Sequence, residues 1–395
     1  MGRVPPYSAC AALELTQLDE LAAVEAIVPE WEALSRIQRP WFAFQTPRWN
    51  LCWWRHLSAA RPLVTDRLRV CAVRSKGELV AVAPLMLTER PAVGPWRVRM
   101  IQAFGADPGV TESRGIICDP LHEVEVYRAL REHLNRRADE WDFVKLNALK
   151  TDGLAHAALA PHSELELVPA QPNYELELPS SWELFKSTAP RNLKESLRKC
   201  YNSLKREGHR PELRVISGGS GVSAALERFF TLHALRAARP DTTPHANVFA
   251  APACRAFLRD YCEQSAPGSA LVFQLVVGGS VVASRVGFRS EQSLYLYYSG
   301  YDPEWGRFSV MTTLLAEVLK WAIAEGVTSA NLSFGRDVSK TRWRPRQHDF
   351  HEARWSSRSL RGDLLRRAFD GLTALRRHEH FGSATRGLLG RVSSS

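Results

Sequence analysis

The segment Ser293-Leu-Tyr-Leu-Tyr-Tyr-Ser-Gly-Tyr-Asp-Pro303 reads as a strand running into a turn, and Glu304-Trp-Gly-Arg-Phe308 continues as a loop. A helical pattern then opens at Ser309, a residue type that favours helix starts. Strand, loop and helix in this order aim free backbone N–H groups and the positive end of the helix at one point. Such a point takes an anion, a pyrophosphate for example, and Arg307 adds a full charge beside it. The same spacing also describes an ordinary strand-to-helix turn. The strong motifs are missing: there is no Walker loop, paired-histidine zinc helix, nucleophile elbow or kinase signature. Gly218-Gly-Ser-Gly221 has no following lysine and reads as a linker. The seven cysteines are odd in number and include no Cys-x-x-Cys pair, so they read as reduced thiols.

The elements that position this segment belong to a chain of 395 residues, 45% hydrophobic and 24% charged. That suits two or three folded units and excludes a disordered chain, a fibre and a disulfide-stapled miniprotein. No apolar run is long enough to span a membrane, and Ala9-Cys-Ala-Ala12 is too weak for a secretory signal. The expectation is a cytoplasmic protein. Net charge is +10, carried by 43 Arg and 9 Lys. About half of the excess lies after Trp355, where eight Arg face three acids. Such a balance fits an anionic partner, whether nucleotide cofactor, nucleic acid or membrane face, without choosing among them.

Along the chain, residues 1–12 read as a loose end and 13–35 as helix. An aromatic stretch, Trp41 to Trp54, reads as core. Leu68–Gly77 and Glu78–Leu87 form a hairpin pattern around a Ser-Lys-Gly turn. Strands at Arg97–Phe104 and Gly115–Cys118, a helix at His122–Ala138 and a strand at Asp142–Leu149 follow. The second half repeats the order, with a hairpin over Leu271–Phe288, a strand at Ser293–Gly300, a helix at Ser309–Glu325 and a strand at Val327–Phe334. The expectation is therefore α/β, with two domains of similar topology in tandem, at 13–178 and 266–355. Between them, 179–265 is a helical insert whose first part, Ser180–Arg206, is strongly basic. Helices at Val222–Ala238 and Ala251–Gln264 complete it, and Pro240–Val248 is a polar loop. The tail, 356–395, carries an amphipathic pattern at Leu360–Phe381, with Leu360, Leu364, Ala368, Leu372 and Leu375 in one stripe. It reads as a helix packed on the second domain, with a membrane-surface helix as the second reading.

The order of elements resembles the GNAT acyltransferase fold, doubled. More closely, the chain resembles the BioF2-like, CelD/BcsL-type acetyltransferases, tandem-GNAT relatives of the FemAB aminoacyltransferases. The pieces are Trp31-Glu-Ala-Leu, Phe44-Gln-Thr-Pro-Arg-Trp49, Trp53-Trp54 and Gly77-Glu-Leu-Val-Ala-Val-Ala-Pro-Leu85. They continue with Arg191-Asn-Leu-Lys194, His233-Ala-Leu-Arg236, Asn247-Val-Phe249, Tyr298-Ser-Gly-Tyr-Asp-Pro303 and Ser309. Asn331-Leu-Ser-Phe-Gly-Arg-Asp337, Lys340 and Trp343 form the closing block. The chain departs from the family twice. Val310-Met311 stands where the family has Pro-Gly, and Ser333 stands where it has aspartate.

The resemblance implies transfer of an acyl group from acyl-CoA, acetyl-CoA first, to an amine or hydroxyl of a polysaccharide or cell-envelope precursor. No metal is implied. Ser299, Gly306, Arg307, Phe308, Ser309, Val310 and Met311 would hold the cofactor. The base would be His233, Asp302 or His245, and Tyr298 or Tyr301 would return a proton to the leaving thiolate. Arg191, Lys194, Arg285, Arg336, Lys340, Arg342 and Trp343 would line the acceptor cleft. Nucleic acid enters only in the first alternative, a FemAB-like transferase using aminoacyl-tRNA. The second alternative is a degenerate scaffold subunit of a polysaccharide synthesis complex. The basic tail would then be the docking surface; in any of these readings it is also a candidate for contact with the inner membrane.

Overall fold

Both hairpins form. The computed structural model describes residues 13–371, apart from 93–95, 108, 163, 219, 240–244, 358, 360 and 369–370. Among these residues one four-stranded and two seven-stranded sheets assemble. In the first half, Val70–Ser75 and Glu78–Ala83 pair antiparallel around Lys76 and Gly77, both at positive φ. Pro84 ends that ladder. The run continues as Leu85–Pro91, which joins the larger sheet instead. A proline lacks the N–H that a continuous central strand needs, and here it marks the change of sheet.

The two halves share a βαβ unit. Arg97–Ala103, the helix Glu123–Arg136 and Phe143–Lys150 make the first, with parallel pairing from Met100 to Gln102. Ser293–Tyr301, the helix Val310–Ala324 and Ser329–Phe334 make the second, with parallel pairing from Ser293 to Tyr295. The fold is α/β, two domains of similar topology in tandem. The basic segment between them contributes the helices Trp182–Thr188 and Arg191–Arg206. It also contributes a strand, Pro211–Ser217, that pairs with Ala270–Val277 and so opens the second domain's sheet.

A division of the chain at residue 178 or 355 does not follow the hydrogen bonds. Asn173–Glu177 leaves the first half to pair with Ser329–Phe334 and Arg346–His348. Phe350–Ser356 returns from the second half to pair with Phe143–Lys150 and Glu166–Pro169. Each large sheet is completed by a strand from the other half.

The aromatic stretch is buried between the domains. Trp49 packs edge-on against Phe257, Tyr261 and Phe288, and Phe44 against Trp49 and Tyr295. These rings, with Trp31, Phe42 and Trp53, form one core cluster with residues of the second domain. Burying so much aromatic area favours one fixed domain arrangement.

Two expectations are corrected. Residues 13–35 are not one helix: Leu13–Leu18 is a strand on Val70–Ser75, followed by helices Leu21–Ala26 and Val28–Arg36. Leu13 and Leu15 alternate with exposed Glu14 and Thr16, a period of two that a sheet edge satisfies and a helix does not. In the tail, residues 361–368 are helical, but Leu364 is 60% exposed and Leu365 is the buried leucine. Leu365 packs on Val98, Met100 and Phe143, which belong to the first domain, not the second. Leu360, Leu372, Leu375 and the tail beyond lie outside the described residues, as do residues 1–12. No helix among the described residues is long and apolar enough to cross a membrane.

Candidate active site

The parallel pairing of Ser293–Tyr301 with Ser329–Phe334 stops after Tyr295 and Asn331. Beyond that point the strands part, and a cavity of about 630 Å³ lies in the region they leave. Two local features hold it open. On the partner strand Ser280–Ser290, register shifts between Arg285 and Gly287. On the other side Ser333 adopts φ 71°, and its N–H turns away from the ladder to Asn331 Oδ1 at 2.9 Å. Asn331 is itself locked by reciprocal amide bonds to Asn173 on the exchanged strand, at 2.9 and 2.7 Å. A non-glycine residue at positive φ stores strain, and such residues collect at functional sites.

One end of the cavity is the start of the helix Val310–Ala324, where Gly306, Ser309, Val310, Met311 and Thr312 line the wall. Ser309 sits at φ 54° and its hydroxyl makes no cap bond to its own helix. It lies against Cys200 on the basic helix instead. Thr312 N–H donates to Ser309 O at 2.9 Å, so the N–H groups of Val310 and Met311 keep the anion-binding character that helix starts have. Arg342 donates to Thr312 Oγ1 at 2.5 Å, and its buried Nε has no partner. That wall suits a phosphate group.

The floor carries charges from both domains. Glu112 comes from the first domain's loop 104–116 and reaches the second domain's cavity. Asp107 shapes that loop: its Oδ1 accepts the N–H groups of Gly109 and Val110 at 2.8 and 2.5 Å, while its Oδ2 accepts Trp53 Nε1 at 2.8 Å. The loop is tied across the interface by Tyr298, whose hydroxyl donates to Gly109 O at 2.8 Å, and by Tyr297, which donates to Val110 O. Glu112 accepts the Tyr295 hydroxyl. Burial pushes its carboxyl up to about 7, against the opposing pull of Tyr295, Lys340 and Arg285. Lys340 donates to Ser333 Oγ at 2.9 Å and to Phe334 O, and burial lowers its ammonium to about 8. Ser299 Oγ accepts both Arg236 Nη1 at 2.9 Å and Arg285 Nη2 at 3.3 Å.

The sequence candidates divide accordingly. Ser299, Gly306, Ser309, Val310, Met311, Tyr298, Tyr301, His245, Arg285, Arg336, Lys340 and Arg342 all line the cavity. Arg307 points elsewhere, pairing with Glu207 at 2.9 Å, and Phe308 is buried in the second domain's core. Arg191, with its side chain 89% exposed, pairs with Glu195, and Lys194 donates to Ser187 O. Trp343 is core. Among the bases, His233 is buried, with Nδ1 3.1 Å from Ser299 O and its ring packed on Phe229, Phe249 and Tyr298 rather than on the cavity. Asp302 caps the turn Pro303–Phe308 by accepting Glu304 N–H at 3.1 Å. His245 lines the cavity, but its Nε2 lies 2.6 Å from Arg236 Nη2, and burial with that cation lowers it to about 4. Its lone pair is taken. The group with a base's properties is Glu112, which the sequence reading missed.

Glu112 leaves a signature in stability. Its pKa rises from an ordinary 4.5 to about 7 on folding. Between these values the folded chain holds the extra proton, so stability falls as pH rises through that window. At about 1.4 kcal/mol per unit the loss approaches about 3 kcal/mol. Glu112→Gln lacks this titration. Its Tm relative to the natural chain should climb from about pH 5 to about pH 8. A constant difference across the range would show that Glu112 titrates normally.

Comparison with known proteins bears on the fold. Residues 191–344 match the acetyltransferase (GNAT) domain family. The matched span includes the basic helix, the helix start at Val310 and the strand carrying Ser333. Among solved structures, the crystal structure of FemX has 12% identity and a TM-score of 0.56, covering 86% of this chain and 96% of that one. The C-terminal domain of a putative lysylphosphatidylglycerol synthetase from Agrobacterium fabrum has 12% identity and a TM-score of 0.51, covering 88% and 97%. Both likenesses are of fold. No curated protein matches the chain by sequence. The GNAT match lies in the second domain, and the first domain repeats its βαβ order.

Proposed function

We propose that this chain transfers an acyl group from a CoA thioester to an amine or hydroxyl, with Glu112 as general base. The observation that carries the reading is Glu112 itself, a carboxyl from one domain held near neutrality in the other domain's cavity. A base poised there accepts a proton at physiological pH and keeps the driving force to do so. The CoA diphosphate would lie at the Val310 helix start beside Arg342, whose unpartnered Nε fits an anion. CoA supplies the activated thioester. The acceptor's nitrogen or oxygen bonds to the acyl carbon, the carbon–sulfur bond breaks, and the acceptor's proton passes to Glu112. Of the two tyrosines in the cavity wall, Tyr298 is committed to Gly109. Tyr301 is left to return a proton to the thiolate.

Ser333, where the resembled family has aspartate, belongs with this arrangement. The carboxylate duty moves to Glu112, and Ser333 accepts Lys340 instead. A scaffold subunit has no use for three half-buried cations around a near-neutral carboxyl. The resemblance to BioF2-like enzymes supports an acceptor drawn from polysaccharide or cell-envelope precursors.

The test is thermal stability with acetyl-CoA, longer acyl-CoAs and free CoA. A ligand at 100 times its Kd adds about 2.7 kcal/mol to the folded state. Ser309→Asp puts a negative charge at the helix start, which favours the helix and repels a phosphate. The variant should keep or raise its own Tm and lose the CoA shift. No shift of the natural chain with any CoA ester would overturn the reading.

A further inference from the structure

Three cations, Arg236, Arg285 and Lys340, line the floor of the cavity, and two carboxyls, Glu112 and Asp337, line it with them. Asp337 is committed, because it caps the short helix Val338–Thr341 by accepting Ser339 N–H at 2.6 Å. Arg236 and Arg285 are held side by side on one neutral hydroxyl, Ser299 Oγ. The Nε of Arg285 is buried with no hydrogen-bond partner. Burial, and repulsion from Arg236, lower the Arg285 guanidinium to about 10. Among the described residues neither guanidinium hydrogen-bonds a carboxylate; Asp337 and Glu112 act on them only through space. Two cations held together in this way are costly to bury, and a free N–H beside them is a further cost. A planar guanidinium edge matches the oxygens of a carboxylate or phosphate.

This second anion position is distinct from the one at the helix start. There Arg342 stands with Thr312, whereas Arg236 and Arg285 stand at Ser299 on the opposite strand, in the wall that also holds Glu112. We propose that the acceptor carries an oxyanion, carboxylate or phosphate, close to its nucleophile, and that Arg236 and Arg285 hold that oxyanion while Glu112 takes the proton. The proposal deepens the acyltransferase reading and rests on it for the acceptor's role. The anion site itself rests only on the cavity.

The experiment uses the full chain in two arms. In the first, the protein is saturated with free CoA, so that the helix start is filled, and titrated with malonate or inorganic phosphate while Tm is followed. Either anion should raise Tm further, and Arg285→Met should weaken its Kd at least about tenfold. In the second arm, CoA release from acetyl-CoA is measured with matched acceptors: glycine against glycinamide, and phosphoethanolamine against ethanolamine. The anionic member should show a kcat/KM at least about tenfold higher, and Arg285→Met should bring the two within about twofold. A preference confined to the glycine pair assigns a carboxylate, and one confined to the phosphoethanolamine pair assigns a phosphate. Arg236→Met serves should Arg285→Met fail to fold, and Arg128→Met, exposed on the first domain's helix Glu123–Arg136, is the unchanged control. Absence of any anion shift in the natural chain, or equal rates within both pairs, overturns the proposal. A chain that ignores CoA yet binds malonate or phosphate through Arg285 keeps the anion site and sinks the acyl-CoA reading.

Discussion

Glu112→Gln should lower kcat/KM for acyl transfer by about 10²- to 10⁴-fold, the range that general-base catalysis contributes, while the protein stays folded. Glutamine fills the same volume and still offers an oxygen to the Tyr295 hydroxyl, so the loop 104–116 keeps its tie to the second domain. What disappears is the proton acceptor. The pH profile separates this from a packing effect. With the carboxyl at about 7, the natural enzyme gains activity as pH rises through that value, because the ionised form is the base. The alkaline limb belongs to Lys340. Its ammonium, at about 8, loses its charge above that pH and no longer supports the ionised Glu112. The profile should therefore be a narrow bell. Glu112→Gln should retain only a low, pH-independent rate on the acid side, and Lys340→Met should lose the alkaline limb and shift the acid limb upward. An acid limb that survives in Glu112→Gln would assign the base to another group.

The fold was readable where pattern is local. Each hairpin announced itself by two β-rich runs around glycine, and the helix Val310–Ala324 by its apolar content after a plausible cap. The exchanged strands were not readable. Asn173–Glu177 and Phe350–Ser356 look unremarkable as sequence, because their partners lie in the other half of the chain. The cavity wall at the helix start was readable for the same reason as the hairpins: Gly306, Ser309, Val310 and Met311 lie within six residues, which keeps them at one strand-to-helix junction. Arg307 and Phe308 failed within that run because neighbours on a 3₁₀ turn point in different directions. Glu112 was invisible. It sits in a loop of the first domain, remote in sequence from everything it serves, and only the packing of the aromatic stretch between the domains brings it to Tyr295. His233 misled for the opposite reason. Its residue type suits a base, but its place on the helix Ser220–Ala237 turns it against the strand rather than the cavity.

That helix explains the second large effect. Gly300→Ala should destabilise the chain by about 3 kcal/mol or more, the upper end of overpacking costs. A Cβ at Gly300 would lie 2.2 Å from His233 N and 2.3 Å from the carbonyl carbon of Leu232. Both are helix backbone atoms, so no side-chain rotamer relieves the clash. The helix itself must move off the strand. For 395 residues unfolding together the loss corresponds to a fall in Tm of roughly 4 °C. Gly279→Ala is the matched control. Its Cβ meets nothing within 4 Å, so it carries only the strain of a left-handed alanine, about 1–2 kcal/mol. A Tm for Gly300→Ala equal to that of Gly279→Ala would show that the helix does not sit this close. The clash also reaches the site. Arg236 lies one turn beyond His233 and donates to Ser299, the residue before Gly300. Moving the helix outward pulls that guanidinium from the hydroxyl it shares with Arg285. Where Gly300→Ala folds at low temperature, it should weaken malonate or phosphate binding while the CoA shift, set by the Val310 helix start, changes less. The absence of a side chain at Gly300 thus fixes how deep Arg236 stands in the cavity.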